Sequence, residues 1–105
     1  MFLTVWEYRV NADRIEDFLD SYDENGTWVS LFRRGLGYLG TSLLRDLIDP
    51  ARFITIDRWN TRTSYQEFKD RFAHEYATLD EACQEMTVSE TPLGYFESGD
   101  QSQPD

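Results

Sequence analysis

The sequence predicts an α+β domain of split β-α-β-β-α-β order, with two helical stretches covering one face of a four-stranded antiparallel sheet. Three observations lead there. Apolar and aromatic residues alternate with period two in four short stretches, and recur at steps of three and four in the stretches between them. A chain of 105 residues leaves room for one core only. That core needs no disulfide or metal, because 40% of the residues are hydrophobic and 15% aromatic.

Strand one runs from Phe2 to Val10, where Phe2, Thr4, Trp6, Tyr8 and Val10 alternate with Leu3, Val5, Glu7 and Arg9. Asn11, Ala12 and Asp13 then offer capping side chains, and Glu16 lies three residues past Asp13 as in a capping box. Ile15, Phe18, Leu19 and Tyr22 follow helical spacing, so the first helix begins near Asp13 or Arg14. Asn25-Gly26 interrupts it, and Trp28, Leu31 and Phe32 resume the pattern for a short helical turn that ends at Arg33-Arg34-Gly35. Gly37 to Asp46 and Ala51 to Trp59 read as strands two and three, a hairpin closed around Leu47-Ile48-Asp49-Pro50.

Thr63 with Gln66, or Ser64 with Glu67, supplies the next capping box. The stripe Tyr65, Phe68, Phe72, Tyr76, Leu79 and Cys83 is the clearest helical signal in the chain, with a break expected near Ala73-His74. Met86 to Glu97 is strand four, in which Pro92 points to a sheet edge or a bulge and Gly94 to a local break. Residues 1–97 thus form the domain, and 98–105, lacking apolar residues, form a disordered tail.

Twenty acidic residues against ten basic give a formal net charge of -10, which repels phosphate backbones and anionic lipid surfaces. Neither nucleic acid nor a membrane is expected as a partner. Cys83, the only cysteine, allows no intrachain disulfide and no CxxC motif, and the first ten residues lack the basic start and cleavage site of a secretory leader. A cytoplasmic setting is the expectation. The sheet face opposite the helices is apolar in either register, so a homodimer burying sheet against sheet is its simplest cover.

Three passages carry a family likeness: Val5-Trp6-Glu7-Tyr8-Arg9-Val10 followed by Ile15-Glu16-Asp17-Phe18; Gly37-Tyr38-Leu39-Gly40-Thr41-Ser42-Leu43-Leu44-Arg45; and Phe53-Ile54-Thr55-Ile56-Asp57-Arg58-Trp59-Asn60-Thr61. In these the chain resembles the antibiotic biosynthesis monooxygenase-like domains of the dimeric α/β-barrel superfamily, over roughly residues 2 to 97. The resemblance implies a ferredoxin-like fold, a dimer, and an aromatic-lined cavity between sheet and helices. Some such proteins oxygenate polyketide-like aromatic compounds without a cofactor, some degrade haem, and others have no known reaction. Trp59 matches a Trp used in both chemistries and His74 matches a haem-ligating His, but Thr4 to Tyr8 contains no Asn, which departs from the haem-degrading pattern.

His74, the only histidine, has the chemistry of a proton carrier near neutral pH or of an iron ligand, although its spacing puts it beside the apolar stripe. Trp59 and Asn60 end strand three, where an indole could stack on a planar substrate and an amide could hold a developing oxyanion; a Trp plugging the core and an Asn opening a turn explain the same pair. Trp6 and Tyr8 share one face of strand one and Thr55, Asp57 and Trp59 share one face of strand three, with Trp28 a further aromatic wall. Pairing Glu7 with Asp57 instead requires the opposite register. No phosphate loop, GxSxG elbow, HExxH or cysteine cluster occurs, so no metal or other cofactor is expected.

The sequence therefore supports a cofactor-independent monooxygenase acting on a small planar compound, with catalytic roles for His74 as base and Asn60 or Tyr8 as oxyanion partner. Trp6, Trp59, Asp57 and Trp28 would bind the substrate. The alternatives are a non-catalytic dimer that binds a small ligand or assists another protein, and a haem-binding member.

Overall fold

The computed structural model describes residues 1–99. Four strands, β1 (Phe2–Val10), β2 (Tyr38–Arg45), β3 (Arg52–Trp59) and β4 (Thr87–Glu97), form one antiparallel sheet in the order β2-β3-β1-β4. Helices α1 (Ile15–Tyr22) and α2 (Thr27–Phe32) follow β1, and α3 (Arg62–Arg71) and α4 (Ala73–Cys83) follow β3. This is the ferredoxin-like split β-α-β-β-α-β arrangement, with each helical region broken in two.

The ends of the elements show which local forces prevail. The capping box expected at Asp13 does not form: Ala12–Arg14 makes a 3-10 turn without a side-chain cap. Asn11 is drawn elsewhere, its amide donating to the Glu85 carbonyl at 2.8 Å and tying the first helical region to the start of β4. Helix α3 begins earlier than its expected box, because the Thr61 hydroxyl accepts from the Ser64 amide at 3.0 Å and caps the helix itself. The expected break falls at Phe72, between α3 and α4.

Gly26 is needed for space rather than for its backbone angles. Its φ is −82°, open to any residue, but a Cβ there would stand 2.7 Å from the Ser21 carbonyl. Gly94 is needed for its angles, with φ +133° at a bulge where Val5 faces Gly94 and Trp6 faces Pro92, leaving Leu93 unpaired. Pro92 thus sits on an edge strand and at a bulge, the two places a sheet tolerates it.

On the helix-covered face β1 buries Phe2, Thr4, Tyr8 and Val10, while β3 buries Phe53, Thr55, Asp57 and Trp59. Phe18 is 0% exposed, stacked on Tyr22 at 4.3 Å and lying 4.9 Å from the Phe53 ring centroid. Trp59, also 0% exposed, is enclosed by Phe32, Tyr38, Tyr65 and Phe68. The opposite face carries Leu3, Val5, Ile54 and Ile56, all half-buried, with Leu44 and Phe96 exposed. Among the described residues no helix lies over it. Of the expected tail, Ser98 donates its amide to the Met1 carbonyl at 2.9 Å, and residues 100–105 lie outside the described residues.

Removing the central ring tests this packing. Phe18→Ala should lower stability by about 3–5 kcal/mol, measured by urea unfolding; a loss below about 1 kcal/mol would mean that the ring stack contributes little.

Candidate functional site

Because β1 and β3 pair with Thr4 opposite Asp57 and Trp6 opposite Thr55, their inward side chains converge under α1, α2 and α4. The packing of large rings leaves a pocket there of about 50 Å³. Its floor is buried and includes Tyr8, Tyr22, Trp28, Thr55 and Asp57. Its rim is half-buried and consists of Trp6, Thr41, Tyr76, Asp80 and Glu90. The rings abut closely, Tyr8 lying 4.9 Å from Tyr22 and Trp28 5.0 Å from Tyr76 in an edge contact.

Asp57 is the notable polar group of the floor. Its side chain accepts from the Thr41 hydroxyl at 2.6 Å and from the Thr4 hydroxyl at 3.3 Å, and Thr41 in turn lies 2.5 Å from the Tyr38 hydroxyl. Burial pushes the carboxyl up to about 6, against the opposing effect of the two threonine bonds and the more distant Arg58. A carboxylate that changes charge near neutral pH, inside a pocket, has the properties of a general base.

The neighbouring phenols stay protonated. Burial raises Tyr8 well above its usual value, and the Thr55 hydroxyl donates to the Tyr8 oxygen at 3.4 Å, leaving the phenol proton available to a ligand. Burial, and then the nearby Tyr8, also drive Tyr22 far up. The Trp28 indole N–H is close enough to Tyr22 to oppose that rise slightly, yet it falls short of hydrogen-bond geometry and is buried without a partner among the described residues.

Of the seven residues given catalytic or substrate-binding roles from the sequence, Trp6, Tyr8, Asp57 and Trp28 line this pocket. The other three lie elsewhere. Trp59 is sealed in the core behind Phe32, as the core-plug reading requires. Asn60 is exposed, its backbone N–H donating to the Gly37 carbonyl at 2.7 Å, and it borders a surface recess with Met1 and Tyr95. His74 is exposed on α4, in an open groove with Leu31 and Leu79. Trp6, Tyr8, Trp59 and His74 therefore do not share one cavity. Glu7 is on the opposite sheet face, paired with Arg52, so it forms no carboxylate pair with Asp57.

Several pocket residues escaped the sequence reading. Tyr22, Phe32 and Tyr76 carry helical periodicity that signals only burial, and Asp80 and Glu90 resemble any surface acid. Among the described residues, no group of three His, Cys, Asp or Glu side chains is placed to hold a metal ion, and no helix is long and apolar enough to cross a membrane.

A ferredoxin-like sheet with an aromatic pocket beneath paired helices defines a recognisable class of α+β domain. Residues 1–78 match the family model described as antibiotic biosynthesis monooxygenase, and the chain belongs to that family. Solved structures agree in fold. A candidate antibiotic biosynthesis monooxygenase from Nitrosomonas europaea superposes with a TM-score of 0.71 at 20% identity, covering 94% of this chain and 99% of that one. A mutant of SnoaB, a cofactor-independent oxygenase from Streptomyces nogalater, gives a TM-score of 0.72 at 16% identity, covering 99% and 97%. No curated protein matches the chain.

Asp57 makes stability depend on pH in a defined direction. Its folded value lies above the carboxylate's ordinary 3.8, so the folded protein holds the proton more tightly and stability falls as pH rises from about 4 to 6. Asp57→Asn should flatten that fall and leave the variant more stable at pH 7.5, by up to about 3 kcal/mol. Thermal denaturation across pH checks this; an equal pH slope in both proteins would show that Asp57 titrates normally.

Proposed function

We propose that this domain is a cofactor-independent monooxygenase-type catalyst in which Asp57 removes a proton from a small planar, polyketide-like aromatic compound. The observation that carries the proposal is a buried carboxylate, titrating near pH 6, on the floor of a pocket walled by Trp6, Tyr8 and Trp28. Family membership and the fold shared with an oxygenase support it.

The chemistry needs an acidic ring C–H and molecular oxygen. Asp57 accepts the proton, and the resulting carbanion forms a carbon–oxygen bond with oxygen to give a peroxide. The peroxide takes the proton back from Asp57 and collapses to a carbonyl, losing water, so that one CH2 and one O2 become one C=O and one H2O. The Tyr8 phenol and the partnerless Trp28 N–H are the donors available to steady the substrate oxygen as charge spreads onto it. His74 and Asn60 take no part in this scheme, being outside the pocket.

The uncovered sheet face supports a homodimer, since Leu3, Val5, Ile54 and Ile56 lie next to one another there and a second copy would bury them. The single buried thiol of Cys83 agrees with a reducing, cytoplasmic setting.

Oxygen uptake with a panel of planar phenols and anthrones tests the catalytic reading. The wild-type rate should rise with pH through about 6 and level off above it, because only ionised Asp57 can accept the proton. Asp57→Asn should lower kcat by roughly 100-fold or more. Uptake undiminished in that variant would sink the assignment. For assembly, sedimentation should show a dimer that Ile56→Asp converts to monomer; a wild-type monomer at micromolar concentration would refute sheet-to-sheet pairing.

A further inference from the structure

Among the described residues the pocket lining contains three carboxylates, Asp57 on the floor and Asp80 and Glu90 at the rim, and no basic side chain. The rings of Trp6, Tyr8, Trp28 and Tyr76 stand around the same space, so aromatic walls and negative charges meet there. The arrangement is under electrostatic tension. Burial raises the Glu90 carboxyl, and the negative charge of Asp80 raises it further. Tyr76 is pushed up first by burial and then by Asp80. Tyr76 already attracts one cation: the Lys69 ammonium sits 4.2 Å from its ring centroid, though Lys69 is not part of the lining.

A bare metal ion does not suit this space, since no three metal-ligating side chains are brought together among the described residues. Rings beside carboxylates suit an organic cation, whose positive charge is spread over a larger, weakly hydrated group. The second feature that points to a ligand is the Trp28 indole N–H, buried and, falling short of hydrogen-bond geometry to Tyr22, without an acceptor among the described residues. A ligand with a cationic group at the rim and a carbonyl or phenol oxygen deeper in the pocket would relieve both.

We propose that the pocket mouth, between the carboxylates of Asp80 and Glu90 and the rings of Trp6 and Tyr76, binds an organic ammonium group, and that the planar compound turned over carries an aliphatic amine. The identity of the substrate rests on the catalytic reading of the pocket; the ammonium subsite stands without it. The amine has a use in the reaction as well. Proton removal puts negative charge on the substrate among carboxylates, and the substrate's own ammonium at the rim would offset it.

Three probes of similar shape separate charge from stacking: naphthylmethylammonium, naphthylmethanol and naphthoate, each titrated into the full chain at pH 7.5 and followed by tryptophan fluorescence and calorimetry. The ammonium should bind at least about tenfold more tightly than the alcohol, and the carboxylate weakest of all. In an Asp80→Asn, Glu90→Gln double variant the ammonium should fall to the affinity of the alcohol, while the alcohol itself is unchanged. Equal binding of ammonium and alcohol, survival of the preference in the double variant, or binding of none of the three would each overturn the proposal. Asp57→Asn separates the two readings: it should lower oxygen uptake by roughly 100-fold or more while keeping the ammonium preference. A preference that holds in a wild-type protein without uptake refutes the catalysis alone.

Discussion

The antiparallel register of β1 against β3 sets Thr4 opposite Asp57, Trp6 opposite Thr55 and Tyr8 opposite Phe53, and the pocket depends on it. Side chains in a strand alternate faces, so a slip of one residue would exchange that whole set for Glu7, Ile54 and Ile56. Burial enforces the observed choice. The inward sets supply Phe2, Tyr8, Phe53 and Trp59, rings large enough to fill the space beneath four helices, whereas the outward sets supply Arg9, Arg52 and Arg58, which could not be buried there without charge partners. Asp57 and Thr55 are carried inward with the rings.

A polar pair brought into a core must be satisfied, and neighbouring strands do this. Thr4 on β1 and Thr41 on β2 flank Asp57 and both donate to it, while Thr55 donates to Tyr8. The threonines suit the pleated sheet and supply hydroxyls at fixed positions, so Asp57 keeps two donors and yet remains desolvated enough to favour its proton. The helices contribute emptiness as much as contact. Short α2, and the break between α3 and α4, bring Trp28 and Tyr76 edge to face, and such rigid rings leave a gap that aliphatic side chains would close.

Strand identities, the hairpin, the break near Phe72 and the bulge beside Pro92 were legible because each rests on local chemistry: period, turn residues, a proline without an amide proton. The site was legible only in part, because it rests on pairing between distant segments. Trp6, Tyr8 and Asp57 could be placed on shared strand faces by alternation alone, but nothing local states which face meets the helices. Trp59 and Asn60 show the cost of reading position without register, since one inward step seals the indole in the core and the next turns the amide outward. A usable signal for Asp57 did exist. An aspartate in phase with Phe53 and Trp59 along one strand must be buried if they are, and a buried carboxylate calls for an explanation.

The charge balance of the pocket also limits how it can assist a reaction. Many sites that form an enolate or a carbanion place a cation beside it, but among the described residues this lining offers none. What remains is a set of neutral donors held protonated by burial, with Tyr8 and Tyr22 raised far enough to stay phenols at any physiological pH. Neutral donors stabilise less charge than an ammonium does, but they cost less to keep dry beside Asp57, which in the proposed reaction must itself ionise. A basic side chain in contact with Asp57 would lower its proton affinity and weaken it as a base. The lack of a cation in the lining and the raised carboxyl are thus two sides of one arrangement, in which burial without a positive neighbour holds the Asp57 proton more tightly.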